Sequence, residues 1–258
     1  MRYYHMSGAG NDFMVMDARG LALDFQALAK HLCAFTGADG FMAVGESDIA
    51  DFRLHFYNSD GSRGEMCGNG ARCICKFAFD QGIAGKEMVV QTDAGLVPGW
   101  RISENRYKVQ LNDPTTMDFT RRPDAAYVEL GDPGIPHSVT EVPGLRWSDK
   151  DALREKAKQL RFAPEFPKGA NVNFYTWLNS TSIRILTYER GVEDYTLACG
   201  TGSGSTAAFL WAQGKLPGGK LTVENEGGSL RVSITHDGSR ITGLYLEGPA
   251  QVLKVYEL

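Results

Sequence analysis

Apolar and polar residues alternate over short stretches through much of the chain, in DFRLHFY (51–57), KEMVVQT (86–92), RYKVQL (106–111), SIRILTY (182–188) and SLRVSIT (229–235). A period of two is that of a half-buried strand, so these segments predict a high β content. Helical spacing appears in DFQALAKHLCAF (24–35) and in DALREKAKQLRF (151–162), the second with Ser148 or Asp149 placed as its N-cap; both read as amphipathic surface helices. Two further segments, ARCICKFAFDQG (71–82) and STAAFLWAQG (205–214), are apolar on nearly every face and end in Gly. That pattern suits helices enclosed on all sides. Asp113-Pro114 and Pro217-Gly218-Gly219 are turns rather than flexible linkers, and position 113 is the best domain boundary.

Both enclosed helices follow the same device. HFYNSDGSRGEMCGNGARC and ILTYERGVEDYTLACGTGSGS each run strand, turn, Cys-Gly-x-Gly, helix, with Cys67 and Cys199 lying 132 residues apart, close to half the chain. An internal duplication follows as the expectation, with one cysteine contributed by each half.

Composition narrows the partners. The chain has 258 residues, 43% apolar and 22% charged, with a net charge of −4 and a pI near 5.8. It is long enough for two domains of about 130 residues, each with its own core. The acidic balance, with no Lys/Arg run longer than Arg121-Arg122, argues against nucleic acid or a membrane surface as partner and for a small molecule. No stretch resembles a signal peptide or a membrane span, so a cytosolic protein is expected. Five cysteines (Cys33, Cys67, Cys73, Cys75, Cys199) are an odd number in a chain that needs no staples, and reduced thiols are the expectation.

Gly after Cys exposes backbone N–H groups at a helix N-terminus, where the positive dipole end favours an anion such as a carboxylate. The same field lowers a thiol's pKa from about 8.5 toward neutrality. One thiolate can then take a proton from a substrate carbon while a second thiol returns one from the opposite side, which inverts the stereocentre.

GAGNDF (8–13), NSDGS (58–62) with EMCGNGARC (65–73), NVNF (171–174), YERG (188–191), LACGTG (197–202) and the closing LEGPAQV (246–252) resemble, in order, the signature segments of the diaminopimelate epimerase family. The resemblance implies an α+β fold of two pseudo-symmetric domains, each a curled, mostly antiparallel sheet wrapped round a central helix. Residues 1–113 plus about 248–258 would form the domain carrying Cys67, and 114–247 the one carrying Cys199, with the active site in the cleft between them. It implies an isomerase that needs no cofactor, neither pyridoxal phosphate nor metal, and converts LL-diaminopimelate to the meso form for lysine and peptidoglycan synthesis; a homodimer is compatible with it. By position, Cys67 and Cys199 resemble the proton-transfer pair. Gly68, Asn69, Gly200, Thr201 and Asn11 resemble the groups that hold the carboxylate and amine at the reacting centre. Asn58, Asn171, Glu189 and Arg190 resemble those that recognise the far end, and the 132-residue offset makes Asn58 and Arg190 equivalent in the two halves. An Arg can clamp a carboxylate bidentately, with Glu beside it for an ammonium.

Other readings of the same residues are weaker. Zinc on Cys67, Cys73 and Cys75 would need a C-x5-C-x-C spacing, unlike the usual ligand pair. Gly200, Gly202 and Gly204 lack the context of a nucleotide loop, and a Cys67–His137 nucleophile pair rests on residue types alone. Cys33, Cys73 and Cys75 read as packing residues. Three positions depart from the family's pattern: Ile135 stands where Asn is often found, Asp39-Gly40-Phe41-Met42 lacks a Gln, and Tyr195 replaces a common Glu. These keep open a related racemase acting on lysine, ornithine or histidine. A non-catalytic amino-acid-binding module would be expected to lose a cysteine, and both are kept.

Overall fold

A computed structural model describes residues 1–64 and 67–257; Glu65 and Met66, within the first cysteine segment, and Leu258, at the end of the expected N-terminal domain, lie outside the described residues. The chain divides into two units, Met1–Gln110 with Glu247–Leu258, and Leu111–Leu246.

The first unit runs β1 (Arg2–Gly8), β2 (Asn11–Asp17), α1 (Phe25–Thr36), β3 (Gly40–Gly45), β4 (Phe52–Asn58), α2 (Gly68–Asp80), β5 (Glu87–Thr92), β6 (Gly95–Ser103) and β7 (Arg106–Leu111). Neighbours with no helix between them pair antiparallel (β1–β2, β3–β4, β5–β6, β6–β7), whereas β2–β3 and β4–β5 pair parallel, across α1 and α2. A parallel neighbour demands a long crossover, and the two helices supply it.

The second unit repeats the scheme. After β8 (Pro114–Asp118) come β9 (Ala126–Leu130), β10 (Ile135–Glu141), α3 (Lys150–Arg161), β11 (Asn171–Asn179), β12 (Ser182–Glu189), the short β13 (Asp194–Thr196), α4 (Gly200–Ala212), β14 (Lys220–Asn225), β15 (Gly228–His236) and β16 (Ile241–Pro249). Here β10–β11 and β12–β14 are the parallel pairs, across α3 and α4, and the hairpins β9–β10, β11–β12 and β14–β15 are antiparallel. β16 carries the chain back into the first unit, where β17 (Gln251–Glu257) pairs with β1 as β8 pairs with β9. The duplication is thus one of topology as well as of sequence.

Each sheet packs one helix on each face. α1, capped by Asp24 through Ala27 N–H, turns Ala29, Leu32 and Cys33 onto Met14, Met16, Phe41 and Ala43, and α3 does the same with Ala157 and Leu160 against Val172, Phe174 and Leu186. The other two are enclosed: every residue of α2 from Gly68 to Ala78 is buried, against β1, β2, β3 and β6. Some of their polar side chains are partnered, Lys76 with Asp80 at 2.9 Å and Thr206 with the Gly202 carbonyl at 2.8 Å. The sequence pattern starts these helices at Ala71 and Ser205; they begin at Gly68 and Gly200. Glycine is a poor helix former, but here small residues let the first turns lie against the sheet.

The β1–β2 hairpin shows how closely. Gly8 pairs with Asn11 across a two-residue turn in which Ala9 and Gly10 both have positive φ, as a primed turn requires. A Cβ on Gly8 would lie 2.8 Å from Asn69 O and 3.0 Å from Cys73 Sγ, and a helix carbonyl cannot swing aside. Gly8→Ala is expected to destabilise the protein by about 1–3 kcal/mol, seen as a lower urea midpoint at unchanged slope; an unchanged midpoint would show that β1 and α2 are not in tight contact.

Candidate active site

In the first unit Cys67 is the N-cap of α2, with an extended backbone (φ −109°, ψ 122°), and its carbonyl accepts from Ala71 N–H at 2.7 Å. The earlier N–H groups of the turn have no partner within the helix, and the positive end of the dipole lies among them. Beneath this turn is Arg72, wholly buried, donating to Gly68 O at 3.0 Å and Asn69 Oδ1 at 2.8 Å. Burial pushes its guanidinium down to about 10, against the opposing influence of Cys73 and Cys67. It remains a cation at neutral pH, and adds full positive charge under a helix end that is already positive.

Arg72 also decides which way two amides point. A guanidinium can only donate, so Asn69 must turn Oδ1 toward it, and its Nδ2 then donates to Asn11 Oδ1 at 2.6 Å. Asn11 in turn gives Nδ2 to Asp39 Oδ2 at 3.2 Å, an oxygen that also accepts Asp12 N–H at 3.0 Å. The four side chains form one directed relay from the buried Arg72 to Asp39.

The second unit builds its counterpart with different parts. Cys199 caps α4 with a similarly extended backbone (φ −122°, ψ 114°); its sulfur accepts from Gly202 N–H at 3.3 Å and lies 3.5 Å from Thr201 Oγ1. Donors aimed at the sulfur stabilise negative charge there. Ser203 Oγ donates to the Cys199 carbonyl. In place of a buried Arg, this turn rests on Asn173, buried and bonded to Thr187, Ser138, Asn171 and His137.

Within their own units the expected residues lie as follows. Cys67, Gly68, Asn69 and Asn11 gather at the start of α2, and Cys199, Gly200 and Thr201 at the start of α4. Asn171 links β10 to the turn after β12: its Nδ2 donates to Pro136 O at 3.1 Å and its Oδ1 accepts Arg190 N–H at 2.8 Å. Arg190 is exposed, its Nη1 donating to Lys168 O at 3.2 Å. Asn58 is exposed at the end of β4 and donates to Ser62 Oγ at 2.9 Å. Strand pairing corrects the 132-residue offset: Gly40 faces both Phe13 and Asn58, while Asn171 faces His137 and, by the register of its strand, Glu189. Asn58 is therefore equivalent to Glu189, one residue short of Arg190.

Arg72, Asp39 and Asn173 are given no role by the sequence reading, although all lie in segments it quotes. A charged residue on an otherwise apolar helix was the available signal for Arg72. The other thiols are inert packing groups, as expected: burial pushes Cys33 up to about 11, and Cys73 and Cys75 up to about 12. His137 is wholly buried and pushed down to about 3, by burial first and then by Arg190, so it is neutral. Among the described residues no group of three or more metal-ligating side chains lies close enough to hold an ion, and no helix is long and apolar enough to cross a membrane.

Two departures acquire a physical meaning. Ile135 opens β10 as Asn11 opens β2, each at the second strand of the corresponding hairpin, so an aliphatic side chain stands where the first unit places an amide. Tyr195 packs edge-on against the Tyr188 ring at 5.5 Å with the Arg154 guanidinium over it, on the side of the α3 core.

The family profile described as diaminopimelate epimerase matches residues 3–117 and 131–253. Curated relatives bearing that name include proteins of Aquifex aeolicus, 34% identical over 100% of this chain and 96% of the relative, and of Flavobacterium psychrophilum, 35% identical over 97% of each. Among solved structures, a PhzF-family phenazine biosynthesis protein of Bacillus anthracis superposes with a TM-score of 0.78 at 16% identity, covering 100% of this chain and 98% of that one. A hydroxyproline epimerase of Agrobacterium vitis gives 0.71 at 15%, covering 99% and 91%; at such identities the likeness is one of fold. With the profile spanning most of the chain and relatives of about a third identity spanning nearly all of it, this protein belongs to the diaminopimelate epimerase family.

Proposed function

We propose that the protein epimerises LL-diaminopimelate to meso-diaminopimelate without a cofactor, with Cys67 and Cys199 as the base and acid on either side of one α-carbon. The observation that carries this reading is the repetition, in both units, of a cysteine that caps an enclosed helix and is followed by small residues. A binding module needs one anion-binding turn, whereas inversion needs two proton carriers.

The chemistry sets the demand on each turn. A turnover of about 10 per second limits the barrier to roughly 16 kcal/mol, far below what an ordinary thiolate meets at an amino acid α-carbon. As the proton leaves, charge builds on the substrate carboxylate. N–H groups at the starts of α2 and α4, reinforced by buried Arg72, are fixed donors for that charge and cost no reorganisation during the reaction. Gly68, Asn69, Gly200, Thr201 and Asn11 hold the reacting carboxylate and amine in this scheme. Asn58, Asn171, Glu189 and Arg190 take the far zwitterionic end, Arg190 on the carboxylate and Glu189 on the ammonium. Ile135 favours the competing reading, a racemase of a different amino acid, because an aliphatic group there cannot hydrogen-bond the far end.

Cys67→Ala and Cys199→Ala should each lower α-proton exchange, followed by proton NMR in D2O, by at least about a thousandfold while the fold is kept; an active single mutant would refute the two-base scheme. Arg190→Met should raise KM for diaminopimelate much more than for a monocarboxylic amino acid, and equal effects would remove Arg190 from the specificity residues. Exchange of lysine, ornithine or histidine with diaminopimelate silent would favour the competing racemase. With thiols pushed up to about 11 and 12, Cys33, Cys73 and Cys75 stay protonated at pH 8, so iodoacetamide should label Cys67 well before any of them. Peptide mapping showing early labelling of those three would contradict their assignment as inert.

A further inference from the structure

The buried amide of Asn173 has an orientation that its surroundings leave no freedom to reverse. Ser138 O at 2.9 Å and Asn171 O at 3.4 Å lie on one side of it, and a carbonyl oxygen can only accept. Nδ2 must therefore face them, which leaves Oδ1 to accept the Thr187 hydroxyl at 2.9 Å. The same Nδ2 lies 3.2 Å from His137 Nδ1. A protonated Nδ1 would set one N–H against another, so Nδ1 accepts and the imidazole proton resides on Nε2. On its other side Oδ1 abuts the helix turn below Cys199: a Cβ added to Gly202 would overlap it and would lie 3.2 Å from Thr187 Oγ1. The N–H of that same Gly202 is the donor to Cys199 Sγ. Asn173 thus touches both the imidazole and the residue that presents a hydrogen bond to the sulfur.

We infer that Asn173 is a positioning residue for the reaction: it holds His137 as the Nε2–H tautomer and seats Gly202, and through it the Cys199 turn, on β11. The inference rests on the proposal that Cys199 transfers a proton, but the tautomer assignment does not depend on it. His137 has no protonated form at neutral pH to compete with this arrangement, since burial holds the ring neutral.

The test is side-chain 15N NMR of protein labelled at histidine, with the His137 signals assigned through His137→Gln, alongside α-proton exchange kinetics on diaminopimelate. The wild-type ring should show a protonated Nε2 and an unprotonated Nδ1; a protonated Nδ1, or a cationic ring, overturns the inference. In Asn173→Asp a carboxylate replaces the donor and draws a proton onto Nδ1, so the His137 signature should change. At the same time kcat should fall by about a hundredfold, the scale of a displaced catalytic group, with KM within a factor of about three. A folded Asn173→Asp with either readout unchanged overturns the proposal. Thr187→Val, which removes only the hydroxyl held by Oδ1, decides the matter if Asn173→Asp does not fold: kcat reduced several-fold with the tautomer kept supports it, and unchanged kcat refutes it. Wild-type protein that exchanges no amino acid at all would sink the epimerase reading while leaving the tautomer result to stand.

Discussion

A helix enclosed by a sheet on all sides has nowhere to hide its N-terminus. Its first N–H groups lack partners within the helix, water is excluded from its flanks, and an unpaired buried donor costs about 1–3 kcal/mol. α2 and α4 are such helices, and most of what is distinctive in this chain follows from how they begin. Each starts at a cysteine in extended conformation in place of a Ser or Asp cap, and in α4 the Cys199 sulfur itself accepts Gly202 N–H. Of the small residues that follow, Gly70 in one unit and Gly202 and Gly204 in the other bring the backbone against neighbours that a Cβ would crowd, such as Met42 at Gly70 and Leu111 at Gly204.

The two units meet this constraint differently, and the difference matters for chemistry. α2 sits on a buried guanidinium, whose charge is not lost to solvent and whose directionality propagates through Asn69 and Asn11 to Asp39. α4 sits on a neutral amide network, Asn173 with Thr187 and the uncharged His137. Duplication preserved the topology and the cysteine while the layer beneath the cysteine diverged. The two cysteine turns therefore sit in different electrostatic surroundings, a buried cation under that of Cys67 and a neutral network under that of Cys199.

Two of the residues proposed for the far end of the substrate, Asn171 and Arg190, are held differently. Asn171 is buried and bonds Pro136 O of β10 and Arg190 N–H after β12, so it fixes where Arg190 begins. Arg190, by contrast, is exposed, its Nη1 donating to the Lys168 carbonyl.

The alternating and helical patterns by themselves determined the strands and amphipathic helices, because half-burial imposes a period of two or 3.6 on any sequence that satisfies it. The repeated Cys-Gly-x-Gly determined that a cysteine stands at the head of each enclosed helix and pointed to the duplication, because a short motif before an enclosed helix is visible without coordinates. Only the tertiary structure decided where those helices begin: glycine's low propensity argues against Gly68 and Gly200 as helical, and close packing overrides it. It alone showed that Asn58 matches Glu189, since register is a property of paired strands. Arg72, Asp39 and Asn173 were invisible for the same reason. Their roles lie in bonds to residues 3 to 36 positions away, and in the orientation of amides that no single segment of the chain specifies.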